Sequence, residues 1–378
     1  MRARRAIVFA AALLLAATAK SGHELPIYPS YYPHEIEIRT IAPDTAADLM
    51  RAGNLHAYVG TIPAPDPPKP ISAVESLGSL VLVRLDPTSP LAADGPTACA
   101  TAESILRDMA ARTDVDGFTF HPYPVTPWHG DYLNHVDRAE EARQRILGSR
   151  TAPPAGVKLR AGSPAVTSLV RGEWLAKGSR PDASVEAIDV AGIVADATVA
   201  MNGWLGPRWV RSGWFHAYRV LGGSPQDPAE RQALLDRVAR LEAADYADGA
   251  ERINLERDVV RSLEAGCRTM VAGYTVKREF FTAEFSAGIE NISFDGIEGV
   301  NSPMFLRTVK LKDFPWNGVL RLGIAVRPDA AWNPVGGFTG PFGRLAWYAI
   351  SDPAALPSPY EAGWTLNRIS GIEMSPRR

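Results

Sequence analysis

Three of the seven histidines of the chain lie within fifteen residues, in a segment that also carries carboxylates. This segment, HPYPVTPWHGDYLNHVD, runs from residue 121 to residue 137. On a helix, Asp131 and His135 would lie one turn apart, so both side chains could reach one ion or one substrate. Imidazole and carboxylate ligands suit zinc or copper, both of which are available outside the cytoplasm. The segment therefore predicts a metal site with four candidate ligands: His121, His129, Asp131 and His135.

Two other interpretations of the same segment stay open. The spacing matches no metal motif, and the H-E-x-x-H pattern of zinc proteases is absent. The histidines could therefore serve a metal-free ligand or catalytic site. They could also be structural, because histidines near the start of a helix often act as caps or as polar packing groups.

A second cluster combines aromatic and cationic side chains between residues 204 and 219, with three tryptophans, one tyrosine and three arginines. Arginine forks suit carboxylates and phosphates, and tryptophan faces suit sugars, cations or flat cofactors. Ordinary amphipathic packing explains the same residues, and interfacial attachment to a membrane fits less well because no long polar face is present. The candidate ligand-binding residues are Arg208, Arg211, Trp214, Tyr218 and Arg219.

Several classes of protein are disfavoured by what the sequence lacks. The chain has no G-x-S-x-G elbow, no S-x-x-K and no C-x-x-C, which disfavours ordinary covalent-nucleophile and redox-thiol enzymes. The glycine-rich stretch 336–343 lacks the Lys-Ser/Thr of a phosphate-binding loop. A net charge of −2 argues against a nucleic-acid partner bound through a basic surface.

The first nineteen residues predict an exported protein. Arginines at positions 2, 4 and 5 precede an apolar run from residue 6 to residue 17, and Ala-Thr-Ala ends the pattern at residue 19. This arrangement is typical of a cleaved secretory signal peptide, here residues 1–19. No later run reaches 18 apolar residues, so no transmembrane span is expected in the mature chain. We expect a periplasmic or secreted protein.

Export changes the interpretation of the two cysteines, Cys99 and Cys267. In an oxidising compartment they could form one disulfide that closes a long loop. Two buried free thiols are the alternative, because the sequence does not report the distance between them.

The elements that would position these residues begin with a β-α-β pattern. Ile36, Ile38 and Ile41 predict a strand, Asp44 could cap a helix over 45–51, and residues 55–59 predict a second strand. This order is similar to the start of many α/β ligand-binding domains, those of periplasmic solute-binding proteins among them, as a fold-level analogy. We expect an N-terminal α/β domain over residues 20–150, with a central strand at 80–85 and helices at 101–111 and 131–147. The proline- and glycine-containing stretch 148–156 marks its end.

Residues 151–378 predict a second domain with a helical segment and an antiparallel sheet. The helical part covers 184–201 and 228–264. Four strands are expected after it, at 271–285, 305–311, 319–326 and 345–350. The predicted fold class is therefore mixed α+β: an N-terminal α/β unit, a helical middle segment and a C-terminal antiparallel sheet.

Three functions are compatible with these features. The leading hypothesis is an exported, non-enzymatic binding or accessory protein for a small ligand, an anion or a metal. A metal-assisted hydrolase or lyase using the segment His121–His135 is the second. A structural or assembly partner of an exported complex, using the tyrosine-rich segment 23–33, is the third.

Overall fold

The computed structural model describes residues 32–62, 70–112, 117–150, 152, 154–178, 180–200, 207–223, 225, 227–284, 286–312, 318–328, 340–350, 354–359 and 363–371. The predicted signal peptide, the tyrosine-rich segment up to residue 31 and the glycine-rich stretch up to residue 339 lie outside the described residues. So does most of the proline-rich loop 63–70.

Twelve strands are present in the described part of the chain. In order they are β1 (Glu35–Thr40), β2 (Ala57–Val59), β3 (Ile71–Leu85), β4 (Phe118–Phe120), β5 (Leu159–Ala161), β6 (Ala183–Asp189), β7 (Thr269–Thr282), β8 (Ile289–Asn291), β9 (Lys310–Leu311), β10 (Val319–Ile324), β11 (Ala355–Pro357) and β12 (Trp364–Leu366).

Ten α-helices accompany these strands in the same described ranges. They are α1 (Pro43–Arg51), α2 (Gly95–Ala110), α3 (Val136–Gly148), α4 (Pro164–Thr167), α5 (Val190–Ala200), α6 (Gly213–Leu221), α7 (Pro228–Glu242), α8 (Gly249–Glu264), α9 (Pro303–Thr308) and α10 (Pro341–Ile350). Short 3₁₀ turns occur at Pro90–Ala92, Tyr132–Asn134, Gly172–Trp174 and Arg208–Arg211.

One eight-stranded sheet organises the molecule, in the order β1-β10-β2-β7-β3-β6-β5, with β4 also paired to β7. The pairs β1/β10, β10/β2 and β5/β6 are parallel, and the remaining pairs of this sheet are antiparallel. The predicted β-α-β unit is confirmed, with β10 inserted between its two strands. The predicted central strand is also confirmed, because β3 lies between β7 and β6 and its residues 80–83 are fully buried. The fold class is mixed α+β, as predicted.

The sheet has two lobes that share the long strands β3 and β7. The register of this pair shifts between Leu77 and Leu80, which marks a β-bulge. On one side of the bulge, β7 pairs with β2 through Tyr58 and Phe280. On the other side, β3 pairs with β6 and β7 pairs with β4. We call residues 32–77 and 276–371 the terminal lobe, and residues 79–275 the central lobe.

The hydrophobic cores follow the same division. In the terminal lobe, one cluster packs β2 and β10 against α9 and α10, and a second packs α1 against Tyr58 and Phe280. In the central lobe, one cluster packs β3 against α5, α6, α7 and α8, and the other packs β3 and β6 against α2. Each lobe therefore has buried apolar groups on both faces of the sheet, and Leu77 and Ile297 of the terminal lobe join the first of the central clusters.

Several elements differ from the sequence-based expectations. Residues 303–308 and 341–350 are helical, not strands, so the predicted C-terminal sheet of four strands is wrong. Instead, β7 and β10 join the sheet formed by β1, β2 and β3. The predicted boundary at 148–156 lies between α3 and β5, inside the central lobe, and strands from both sides of it belong to one sheet.

The helical predictions need smaller corrections. The segment 228–264 is two helices, α7 and α8, and the segment 184–201 is strand β6 followed by α5. Asp44 does not cap α1. The helix begins at Pro43, so Asp44 lies inside its first turn and the N-cap residue is Ala42.

The two cysteines form a disulfide, which resolves the alternatives left open by the sequence. Cys99 in α2 is bonded to Cys267, two residues before β7, with 4.7 Å between the Cα atoms. Both cysteines belong to the central lobe and are 168 residues apart in the chain, so the disulfide closes almost the whole lobe into one loop.

Among the residues that the structure describes, no helix combines the length and the apolar character that a membrane span requires.

Candidate functional site

Four buried histidines gather in the core of the central lobe. His121, His129 and His135 come from the connection between β4 and α3, and His216 comes from α6. Their exposed fractions range from 0% for His135 and His216 to 8% for His121. The connection is pinned to the sheet at its start, where the His121 N–H donates to the Ala272 carbonyl of β7 at 3.1 Å. The fold therefore brings these three candidate residues into the same core, buried from solvent.

His129 and His216 form a hydrogen-bonded pair whose protonation is fixed by their other partners. The Thr126 N–H donates to His129 Nδ1 at 2.9 Å, so this nitrogen carries no proton. His129 Nε2–H therefore donates to His216 Nδ1, 2.8 Å away. His216 Nε2–H in turn donates to the Val210 carbonyl at 2.9 Å. All four ring nitrogens are used, and both imidazoles are neutral.

The neutral state of these histidines agrees with their surroundings. Burial lowers the pKa of His129 to about 3 and lowers the pKa of His216 well below its usual value. Burial also lowers the pKa values of His121 and His135. Each charged imidazole would lose its hydration in the apolar core, which explains the direction of these shifts. At His135, Asp131 and Asp137 raise the pKa but do not outweigh burial.

The other two histidines are bound to the same connection. His121 Nε2 donates to the Val125 carbonyl at 2.9 Å, and its ring contacts the rings of Tyr132 and Tyr274. His135 Nδ1 lies 2.8 Å from the Tyr123 hydroxyl. Burial raises the pKa of Tyr123, so the hydroxyl stays protonated in this hydrogen bond.

Asp131 does not share a helix face with His135. Its side chain contacts the N-terminus of α6 instead. Its carboxylate accepts the Gly213 N–H at 2.9 and 3.0 Å and the Trp214 N–H at 3.4 Å, so it caps the N-terminus of α6 from a distant part of the chain. The predicted continuous helix over 131–147 is wrong, because a 3₁₀ turn covers Tyr132–Asn134 and α3 starts only at Val136.

Most candidate ligand atoms in this cluster already have hydrogen-bond partners in the protein, and His135 Nε2 is a buried atom without one. His129 and His216 use all their ring nitrogens, and both carboxylate oxygens of Asp131 accept backbone N–H groups. Within the described ranges, no group of three or more histidine, cysteine, aspartate or glutamate side chains is placed to hold a metal ion. The arrangement fits a polar network that fixes the connection to α6.

The candidate anion-binding residue Arg211 is paired inside the protein. Its guanidinium donates to Asp295, and to Glu298 Oε2 at 3.2 Å, and all three residues are buried. Burial lowers the pKa of Arg211, but the two carboxylates raise it by more, so the arginine stays charged. Two internal carboxylates occupy the guanidinium fork that an external anion would use.

The other candidates of the arginine and tryptophan cluster do not converge on one site. Trp214 is fully buried and packs against Trp209 and Phe215 in the core. Tyr218 is half-buried at the edge of this core, and Arg219 is exposed. The side chain of Arg208 lies outside the described residues. This is ordinary amphipathic packing, with the aromatic rings in the core and Arg219 at the surface.

The parallel strands of the terminal lobe end at an edge that faces the central lobe. β2 runs antiparallel to β7, so its carboxyl end at Val59 is directed towards residue 275 of β7. At residue 275, β7 begins to pair with β4 of the central lobe. The carboxyl ends of β1 and β10 lie beside it, at Thr40 and Ile324. In open α/β sheets, ligands bind outside the carboxyl ends of such strands.

Glu279 is a buried carboxylate at this edge that was not predicted from the sequence. Glu279 of β7 accepts the Val300 N–H at 2.7 Å and lies 3.3 Å from Lys277 Nζ. It also accepts a hydrogen bond from the backbone of Gly60, just beyond β2. Burial raises the pKa of Glu279, and these partners oppose the shift. Its only signal in the sequence is a glutamate next to two phenylalanines in a strand pattern.

No family model and no curated protein matches the chain. Among solved structures, it is similar to Haemophilus influenzae OppA in complex with the peptide RPPGFSPFR, at 13% identity and a TM-score of 0.41, over 72% of this chain and 57% of that one. It is also similar to NikA from Brucella suis in complex with Fe(III)-EDTA, at 12% identity and a TM-score of 0.38, over 71% and 60% of the two chains. A third is the oligopeptide-binding protein AppA from Bacillus subtilis with a nonapeptide, at 12% identity and a TM-score of 0.41, over 72% and 59%. The chain spans 57–60% of the length of these three proteins.

Proposed function

We propose that the chain is an exported binding protein that holds a ligand between its two lobes. The observation that carries this proposal is the division of one sheet into two lobes, each with its own cores, that share strands β3 and β7. Clefts between domains are the usual place for small-molecule sites. The carboxyl ends of β1, β10 and β2 face the central lobe, and this edge is where we place the ligand.

Export is part of the proposal and rests on two independent features. The first nineteen residues carry the charged, apolar and small-residue pattern of a signal peptide. The disulfide between Cys99 and Cys267 suits an oxidising compartment, because reducing conditions would keep both thiols free. We propose the periplasm or the extracellular medium as the working location.

Amide hydrogen exchange with and without added compounds tests the site. The panel contains short peptides, inorganic anions, free zinc and copper, and metal chelates, each added to the purified chain. We expect at least one class to slow exchange in residues 60–62 and 325–328 together with residues of the central lobe. Absence of protection at this edge with every class, or protection confined to one lobe, would contradict the proposal.

Two tryptophan substitutions provide the matched comparison. Thr61 is exposed directly after β2, at the proposed edge, and Thr365 is exposed on β12, outside the main sheet. Thr61→Trp should weaken binding of the compound identified above at least about tenfold by filling the space in front of β2. Thr365→Trp should leave the affinity within about twofold of the unmodified chain.

A further inference from the structure

Residues 295–302 form a loop that lies across the boundary between the lobes; we call it the junction loop. Towards the terminal lobe, the Val300 N–H donates to Glu279 of β7 at 2.7 Å, and Val300 belongs to the core of β2 and β10. Towards the central lobe, Ile297 packs in the core that contains Trp214. The loop is therefore anchored in both lobes by buried side chains.

The same loop contacts the strand pair beside the bulge. The Leu77 N–H, next to the register shift in β3, donates to the Gly296 carbonyl at 2.8 Å. Lys277 Nζ donates to the Glu298 carbonyl at 3.2 Å. A change in the angle between the lobes at the bulge would therefore strain or break contacts of the junction loop.

The buried ion group of Arg211, Asp295 and Glu298 joins the junction loop to the central lobe. Arg211 ends the 3₁₀ turn before α6, and both carboxylates lie on the loop. Asp295 also fixes the loop itself, because its Oδ1 accepts the N–H groups of Ile297 and Glu298 at 2.8 and 2.9 Å. The side chains of all three residues are at least nine-tenths buried.

The neighbours of Arg211 in the chain are held by the polar network of the central lobe. The Val210 carbonyl accepts from His216, and the Gly213 N–H donates to Asp131. The Arg211 side chain therefore extends to the junction loop from a backbone segment that is held by hydrogen bonds on both sides. Separation of the charges would leave the buried arginine without its two carboxylates, which is strongly unfavourable.

We propose that the ion group of Arg211, Asp295 and Glu298 is a latch that fixes the angle between the two lobes by holding the junction loop against the central lobe. The latch itself follows from the contacts described here, and its role in ligand exchange rests on the proposed binding function. Weakening the latch shifts the population towards conformations in which the lobes turn about the bulge.

Amide hydrogen exchange of the ligand-free chain tests the latch. Arg211→Met keeps the length and apolar stem of the side chain and removes the charge. We expect exchange at residues 76–79 and 296–302 to become at least about tenfold faster, because these amides bond across the bulge and the loop. The matched control is Arg171→Met, because Arg171 pairs with the buried Asp108 within the central lobe. The control should leave exchange at residues 76–79 and 296–302 unchanged.

Each other outcome decides against the latch. Unchanged exchange at residues 76–79 and 296–302 in a folded Arg211→Met protein would overturn it, and so would an equal increase in the Arg171→Met control. If Arg211→Met does not fold, Glu298→Gln replaces it, because glutamine keeps the shape and removes one charge of the group. Glu298→Gln should then accelerate exchange at the same residues at least about threefold, and no acceleration there overturns the latch. The measurement uses no ligand, so its result is independent of the binding experiment.

Discussion

His129 and His216 show how a polar side chain can be fixed in an apolar core without charge. Each imidazole donates one hydrogen bond and accepts another, so neither nitrogen is left unsatisfied. The pair connects the loop after β4 to α6, and Asp131 makes a second connection to the start of the same helix. These side chains hold the loop after β4 against α6 through hydrogen bonds, although their types and spacing predicted a metal site.

Acid should destabilise the protein through its neutral histidines. The pKa of His129 is about 3 in the folded chain and that of His56 is about 4, against 6.5 for a free histidine. Between the folded and unfolded pKa values the unfolded chain binds more protons than the folded chain. The free energy of unfolding is therefore greatest above about pH 6.5 and declines as the pH falls. His129 alone should cost ~2 kcal/mol of the free energy of unfolding at pH 5. Urea unfolding at pH 7, 6 and 5 measures this loss.

Two variants assign the pH effect to the buried pair. His129→Asn should be less stable at pH 7, and its stability should fall less between pH 7 and pH 5 than that of the unmodified chain. His34 is exposed, so His34→Asn should keep the full decline. Equal declines in both variants would contradict the assignment.

Asp131 should contribute stability as a cap and not as a metal ligand. Asp131→Ala leaves the Gly213 N–H buried without its partner, and we expect a loss of about 1–3 kcal/mol in the free energy of unfolding. Asp131→Asn keeps one acceptor oxygen and should recover about half of this loss. Thermal unfolding with and without zinc measures both effects. A rise in Tm with zinc that disappears in Asp131→Ala would support the metal site instead.

Among the secondary-structure elements, the bulge in β3 has the most specific geometry. Gly78 lies opposite Thr275, whose Oγ1 would be 2.8 Å from a Cβ at position 78. The same Oγ1 accepts the Ser79 N–H at 2.9 Å, which replaces a bond that the shifted ladder cannot make. A glycine and a hydroxyl therefore occupy the point where the two lobes meet.

Removal of this hydroxyl should weaken the bulge. Thr275→Val keeps the volume and the branched shape but leaves the Ser79 N–H without its acceptor, so we expect a loss of about 1–2 kcal/mol in the free energy of unfolding. Thr275→Ser keeps the acceptor and should lose less than half as much. Urea unfolding of both variants checks this. Equal losses would show that the methyl group, and not the hydroxyl, matters.

Local pattern identified the elements that are long or strongly periodic. The strand at 80–85, the helix at 101–111 and the strand at 319–326 are all present. Their ends agree within two residues, but the first strand starts at Ile71 and the helix at Gly95, well before the predicted starts. Short apolar runs were ambiguous: residues 345–350 are helical although they resemble a strand. The polar contacts were not predictable, because His216 meets His129 across 87 residues and Arg211 meets Asp295 across 84.

In the molecule as a whole, the central lobe is an insertion within the terminal lobe. The chain enters it along β3 and leaves it along β7, and these two strands are paired over most of their length. The disulfide joins α2 to the residues just before β7, at the end of the β3/β7 pair away from the bulge. The sequence could not reveal this arrangement, because sheet partners come from opposite ends of the chain.

Loss of the disulfide should weaken the central lobe specifically. In the chain-entropy model, closing a loop of 168 residues stabilises by up to about 5 kcal/mol. The double variant Cys99→Ser/Cys267→Ser should therefore show a lower Tm and faster amide exchange throughout residues 79–275. Exchange in β1 and β10 should change less. Reduction of the unmodified chain should reproduce this pattern, and equal acceleration in both lobes would contradict it.

The same bond gives the chain an unusual response to cleavage. The connection between α7 and α8, residues 243–248, is mostly exposed and lies between the two cysteines in sequence. A protease that cuts there produces two fragments that remain covalently joined through Cys99 and Cys267. The nicked protein would migrate as one band without reductant and as two bands with it, and both halves of the central lobe would stay in register. A single cut in this connection therefore leaves the two parts of the central lobe covalently linked.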